Sequence, residues 1–290
     1  MYAVYSITIT FGPWTNLRRV ETQTRTRTRS SMPIPTVPQQ IQAITASARH
    51  LRELTGRTLP ALDADLYLRP VPDGCTVLSV NPSRRPQQGL MRRWGPRVNV
   101  EAWRELRNES FAERDNQPTR VTPEKAMQSL LIRDAITNHG WMKLLSAACP
   151  EQPRLRFLAD EFAFRASDGE KTVCDIVAVR WQDDVGIPIV IELKSARHLR
   201  RLTEQVCKMA TLIAGNLEDF RLLAEASWGV PVQLAPKIER WIIWPSSAAE
   251  RHGDLDPKVN KCRADGVRLV TYDGAPGEGL NMQAASQICD

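Results

Sequence analysis

Asp175, Glu192 and Lys194 are three ionisable residues set inside otherwise apolar runs, and such a setting needs a cause. An unpaired carboxylate buried in an apolar strand is so unfavourable that it finds a partner or takes up a proton. Binding a divalent metal is one such cause. Two carboxylates can hold a hard, oxygen-seeking ion such as Mg²⁺, and an ammonium beside them can stabilise developing negative charge or position an attacking water.

The elements that must position these groups lie between Val173 and Gly215. A β-branched run ends at Arg180, a polar Asp-Asp-Val-Gly turn follows at 183–186, a second apolar run spans Ile187 to Leu193, and the chain then becomes helical. The spacing predicts strand, hairpin, strand and helix. Strand side chains alternate faces, so Glu192 and Lys194, two apart, project to the same side. Folding the hairpin about its turn sets Asp175 beside Glu192, so all three charges meet at one sheet end. In the helix, Leu199, Leu202, Val206, Met209 and Ile213 form the stripe that packs on the sheet, and Gln205 falls on its edge, facing the same end.

An acid on one strand followed by Glu-x-Lys on the next resembles the PD-(D/E)XK nuclease superfamily, here as Asp175 and Glu192-Leu193-Lys194. Members often carry a glutamine on the following helix with an aromatic four residues on. Gln205 matches, Met209 departs from the aromatic, and Cys174 stands where the name has proline. The resemblance covers about 120 of the 290 residues. It implies an α/β fold with a restriction-endonuclease-like αβββαβ core, a mixed sheet flanked by helices. It implies Mg²⁺ as cofactor, with Mn²⁺ as substitute, held by Asp175, Glu192 and the backbone carbonyl of Leu193, while Lys194 steers the water and Gln205 completes the site. DNA is the implied partner, RNA is admissible, and a homodimer is compatible with it. A non-catalytic nucleic-acid- or protein-binding module on the same fold is the alternative.

A third acid has two candidates. Thr122-Pro123-Glu124 is a helix start, with an N-cap threonine and a proline in the first turn, and the helix runs through Met127, Leu130 and Leu131 toward Asn138, stopping at Gly140. Glu124 borders its buried face, and similar nucleases often draw an acid from this helix, although an acid there also suits the helix dipole. Glu161 lies on the first strand of a second hairpin, Arg154–Ala166 with Lys171–Arg180. A loop of odd length sets it opposite Asp175, whereas a two-residue Asp-Gly turn moves it to the other face. Beyond the helix, Arg240–Trp244 and Gly266–Tyr272 read as strands with partly helical chain between.

The 290 residues, 42% hydrophobic and 25% charged, are enough for one or two domains. No run of eighteen apolar residues and no secretory signal pattern is present, which predicts a cytoplasmic protein without a membrane partner. Six cysteines without a C-x-x-C pair, and four scattered histidines, argue against zinc modules, disulfide frameworks and covalent catalysis. No phosphate loop or dinucleotide fingerprint occurs.

The net charge of +6 comes from residues 1–60, with eight Lys+Arg against two Asp+Glu. Residues 1–38 read as a disordered basic tail and linker, with Met32 a candidate true start. Residues 39–118 read as a small α+β region: a helix over Gln40–Leu54 ended by Gly56, and a hairpin of Ala64–Val71 with Cys75–Val80 about Pro72-Asp73-Gly74. Then come a loop with Arg84, Arg85, Arg92 and Arg93 around Trp94, and a helix over Val100–Ala112 bearing Trp103. Arginine beside tryptophan suits nucleic acid, but the pair also stacks within ordinary surfaces. Residues 119–290 carry the motif.

Overall fold

The computed structural model describes residues 34–61, 64, 66–72, 74–80, 122–149, 154–165, 170–194, 202–246, 255–275 and 278–284. The basic tail, the Arg84–Trp94 loop and the Val100–Ala112 helix lie outside them. Helix α1 spans Val37–Thr55, longer at its start than the expected Gln40 and reaching into the expected linker. A capping box explains the gain: the Thr36 side chain accepts from the Gln39 amide, and the Gln39 side chain accepts from the Thr36 amide at 2.8 Å. Pro38 lies in the first turn, where a missing N–H costs nothing. Gly56, at φ 65°, ends the helix in the left-handed conformation.

Strands β1 (Leu66–Val71) and β2 (Gly74–Ser79) form the expected antiparallel ribbon. Helix α2 (Pro123–Thr137) starts at its predicted Thr122 cap, and a short α3 (Lys143–Ala148) follows. Then β3 (Leu155–Arg165), β4 (Lys171–Gln182) and β5 (Val185–Leu193) make an antiparallel meander.

Helix α4 (Leu202–Gly215), α5 (Leu217–Trp228) and a two-residue β6 (Gln233–Leu234) lead to β7 (Glu239–Pro245), which runs parallel to β5. Helix α6 (Leu255–Ala264), a parallel β8 (Val267–Ala275) and an antiparallel β9 (Glu278–Ala284) complete a mixed seven-stranded sheet. Its order is β3-β4-β5-β7-β8-β9, with β6 beside β5.

Both faces of this sheet are covered, which is why its central strands read as nearly continuous apolar runs. On one face Val177, Val179, Val190, Ile242 and Trp244 pack with Val206, Met209 and Ile213 of α4, Phe220 and Leu223 of α5, and Ile41 and Ile44 of α1. On the other, Ile176, Ala178, Ile189, Ile191, Leu193 and Ile243 pack with Met127 and Leu131 of α2, Leu145 of α3 and Tyr67 of β1. Each such side chain contributes about 1.5–3 kcal/mol by leaving water. The helix and ribbon before residue 119 therefore share cores with the sheet that follows. Among the described residues, no helix is long and apolar enough to cross a membrane.

The strand registers decide what can meet. Between β4 and β5 the turn is Asp183-Asp184, with Asp183 at φ 53°, and pairing runs unbroken from Gln182↔Val185 to Ile176↔Ile191. Extended by one step that register would set Asp175 opposite Glu192, but the pairing ends at Ile176↔Ile191. Between β3 and β4, Arg165 pairs with Lys171, leaving an odd loop, so Glu161 lies across from Asp175 between the pairs Asp160↔Ile176 and Phe162↔Cys174. The register shifts between Phe157 and Ala159, and Glu161 itself has φ 47°. The outer side of β3 is met by Trp141, which bridges to Arg156, while Phe157 donates to Gly140 and Met142 donates to Leu155.

Candidate active site

The β4–β5 ladder stops at Ile176↔Ile191 although both strands continue, so the sheet forks where the charged residues sit. In the fork the Asp175 carboxylate takes the place of a backbone acceptor: the Leu193 amide donates to Asp175 Oδ2 at 2.8 Å. Lys194 continues the ladder on the other side by donating its amide to the Ile243 carbonyl at 2.9 Å. The donor that a parallel ladder would next offer to the Lys194 carbonyl is at Pro245, which has no N–H. The Tyr272 hydroxyl donates there instead, at 3.4 Å. Sheet geometry thus anchors the backbone on both sides of the Glu-Leu-Lys segment.

Glu192 falls on the same face as Val190, the face that α4 covers, whereas strict alternation breaks at the Asp175 end of β4, where Cys174 and Val177 pack in the same core. Glu192 and Lys194 share that side as predicted, and Lys194 Nζ donates to Glu192 Oε1 at 2.7 Å. Only 3% of the Glu192 side chain is exposed, and its second oxygen, Oε2, has no hydrogen-bond partner among the described residues. A buried acceptor left in that state costs about 1–3 kcal/mol.

Gln205 also reaches this end, but its amide donates to the Val173 carbonyl on β4 at 3.0 Å rather than to either carboxylate. Cys174, where the motif name has proline, is fully buried and donates to the Ile176 carbonyl at 3.0 Å. Burial pushes its thiol up, away from nucleophilic use.

Electrostatics separate the two candidate third acids. Burial pushes the Asp175 carboxyl above its ordinary range, against the Leu193 hydrogen bond and the charges of Lys194 and Lys125, and Glu124 adds to the rise. Burial, then Asp175, raises Glu192 to about 7, against Lys194, with Glu124 again contributing. Burial works to lower the Lys194 ammonium, but Glu192, Asp175 and Glu124 together hold it above its ordinary value. The field of Glu124 therefore reaches all three motif residues. Glu161, although opposite Asp175 in register, forms an ion pair with Lys125.

Several residues of this neighbourhood escape a reading of the motif alone. Lys125 donates to Gln128 Oε1 at 2.7 Å, and Gln128 Nε2 donates to the Asp175 carbonyl at 3.2 Å and to Asp160 Oδ2 at 3.3 Å. Asp160, whose side chain is fully buried, pairs with Arg69 of β1 through both guanidinium and carboxylate ends. The available signal was an acid, Asp160, inside the apolar run of β3. Burial raises the Tyr272 phenol, and Glu124 adds to the rise, so it remains a donor.

The donor set fits a hard divalent cation: two adjacent carboxylates, one carrying a buried oxygen without a partner, beside an ammonium. Among the described residues, no group of three or more His, Cys, Asp or Glu converges as a metal cluster. The chain matches no family model, no curated protein and no solved structure.

The Glu192 shift has a sign that stability can report. A carboxyl raised from 4.5 to about 7 on folding adds stability that is fully present below pH 4.5 and lost as pH rises through 7. Denaturant titrations in EDTA are expected to show Glu192→Gln gaining on the wild type between pH 5 and 8, by up to about 3 kcal/mol. A difference that stays constant with pH would place the Glu192 charge in solvent-like surroundings.

Proposed function

We propose that the chain is a Mg²⁺-dependent nuclease of the PD-(D/E)XK type that hydrolyses phosphodiester bonds in DNA. The observation that carries this reading is the buried Oε2 of Glu192, without a hydrogen-bond partner among the described residues, in a sheet fork with Asp175 and a salt-bridged Lys194. The elements α2, β3, β4, β5, α4 and β7, with α3, α5 and β6 inserted among them, form an antiparallel meander followed by a helical crossover to a parallel strand, which supports the reading as an αβββαβ core.

Asp175, Glu192 and the Leu193 carbonyl would hold the ion, and Glu124, whose charge acts on the same groups without joining them in a three-acid cluster, would add negative charge from α2. A bound divalent ion lowers the pKa of its water and offsets negative charge on phosphate. Lys194 is held by Glu192 until substrate arrives, and its ammonium then orients the attacking water and faces the developing charge. Gln205 fixes the β4 backbone two residues before Asp175, which makes it a positioning group. Leu193 shields the opposite side within the α2-facing core.

The test is incubation of plasmid and single-stranded DNA with the purified protein in Mg²⁺, Mn²⁺ or EDTA. Cleavage with either metal and none with EDTA is expected. Salt-sensitive retention of DNA, with no cleavage under any metal, would instead assign the fold to a non-catalytic binding module.

A further inference from the structure

The acidic end of the sheet already contains a cation that the motif does not account for. Lys125, in the first turn of α2, forms an ion pair with Glu161, and Gln128 anchors the ammonium at 2.7 Å. The charges of Asp175, Asp160 and Glu124 act on it attractively, while Arg69 repels it. Asp160 has its own guanidinium in Arg69. That leaves Lys125 paired with Glu161 and attracted by Asp175, which lies across from Glu161 in the register of β3 and β4. Its side chain is 41% exposed, so the amine has room to move outward.

A half-exposed ammonium on a flexible stem neutralises carboxylates without fixing a coordination geometry. At the same sheet end, Glu192 keeps a buried oxygen with no hydrogen-bond partner among the described residues, so the cluster is short of donors. We propose that Lys125 is a built-in counter-cation of this site, which a divalent ion must work against, so that its charge sets the affinity of the site for metal.

The proposal rests on the metal-binding reading above and has its own measurement. Mn²⁺ is titrated calorimetrically into the full-length wild type, Lys125→Met, Lys125→Arg and Asp175→Asn, without nucleic acid. Lys125→Met is expected to bind roughly tenfold more tightly than wild type, the factor for removing one like-charged group a few ångströms away in a water-like dielectric. Lys125→Arg, which keeps the charge, is expected to match wild type, and Asp175→Asn to lose binding.

Lys125→Gln, which can still meet Gln128, serves as a second neutral variant should the methionine fail to fold. Equal or weaker Mn²⁺ binding by the folded neutral variants, with the wild type still binding, overturns the counter-cation alone. Absence of binding by wild type and neutral variants alike overturns the metal site and the counter-cation together.

Discussion

Asp175→Asn is expected to remove Mg²⁺ binding and to lower DNA cleavage by at least about a thousandfold, about 4 kcal/mol of barrier, while the protein stays folded. Asparagine is the informative substitution because the Asp175 carboxylate accepts the Leu193 amide. An amide oxygen preserves that hydrogen bond, whereas alanine would leave the Leu193 N–H without its acceptor and mix a folding defect with a functional one. Glu192→Gln should behave alike, and Lys194→Ala should lose cleavage while keeping metal and DNA binding. Calorimetry with Mn²⁺, gel assays and thermal melts of the same preparations decide. Full cleavage by Asp175→Asn would end the nuclease reading.

The second large effect concerns stability. Arg69→Ala is expected to destabilise the protein by about 3–5 kcal/mol, because it leaves the Asp160 carboxylate, whose side chain is fully buried, without its charge partner. At roughly 2–4 °C per kcal/mol for a domain of this size, the melting temperature should fall by about 10 °C. Replacing both partners with apolar residues, Arg69→Met with Asp160→Leu, should recover most of that loss, since the cost lies in the unpaired charge. A melting temperature for Arg69→Ala within a degree of wild type would show that Gln128 alone satisfies Asp160. The pair also joins β1 to β3 and, through Gln128, to the Asp175 backbone, so cleavage by Arg69→Ala should fall as well.

The part of the site built from local spacing was legible in the sequence. Asp175 and Glu192 meet because a two-residue turn centred between 183 and 184 fixes the register of β4 on β5, and strand alternation puts Lys194 with Glu192. Glu161 was open because the turn chemistry of 166–170 allowed two registers, and only the observed pairing Arg165↔Lys171 chooses. Lys125, Gln128 and Arg69 were not legible, since their roles arise from α2 and β1 packing on the far ends of β3 and β4 across gaps of 32 to 91 residues.

Of the fold, the hairpins and the amphipathic α1 and α4 could be read from periodicity. Strand β9 could not: Glu-Gly-Leu-Asn-Met-Gln-Ala has no β-branched or aromatic residue, and its strand character comes from pairing with β8. Helix α5 was passed over because α4 ends at Gly215 only two residues before it starts, and its apolar face is completed by α1 and the sheet.

One margin of the sheet has a bearing on how copies of this chain meet in solution. A straight outer strand is a template on which another chain can add itself, the first step toward fibres and tangled dimers. Strand β3 spoils that template three times over: Trp141 already occupies Arg156, the register shift at Leu158 bends the path, and Glu161 turns the backbone into the left-handed region. An incoming strand would find its ladder interrupted within a few residues. Self-association through this margin is therefore disfavoured, and a homodimer, where one forms, is directed to another part of the surface.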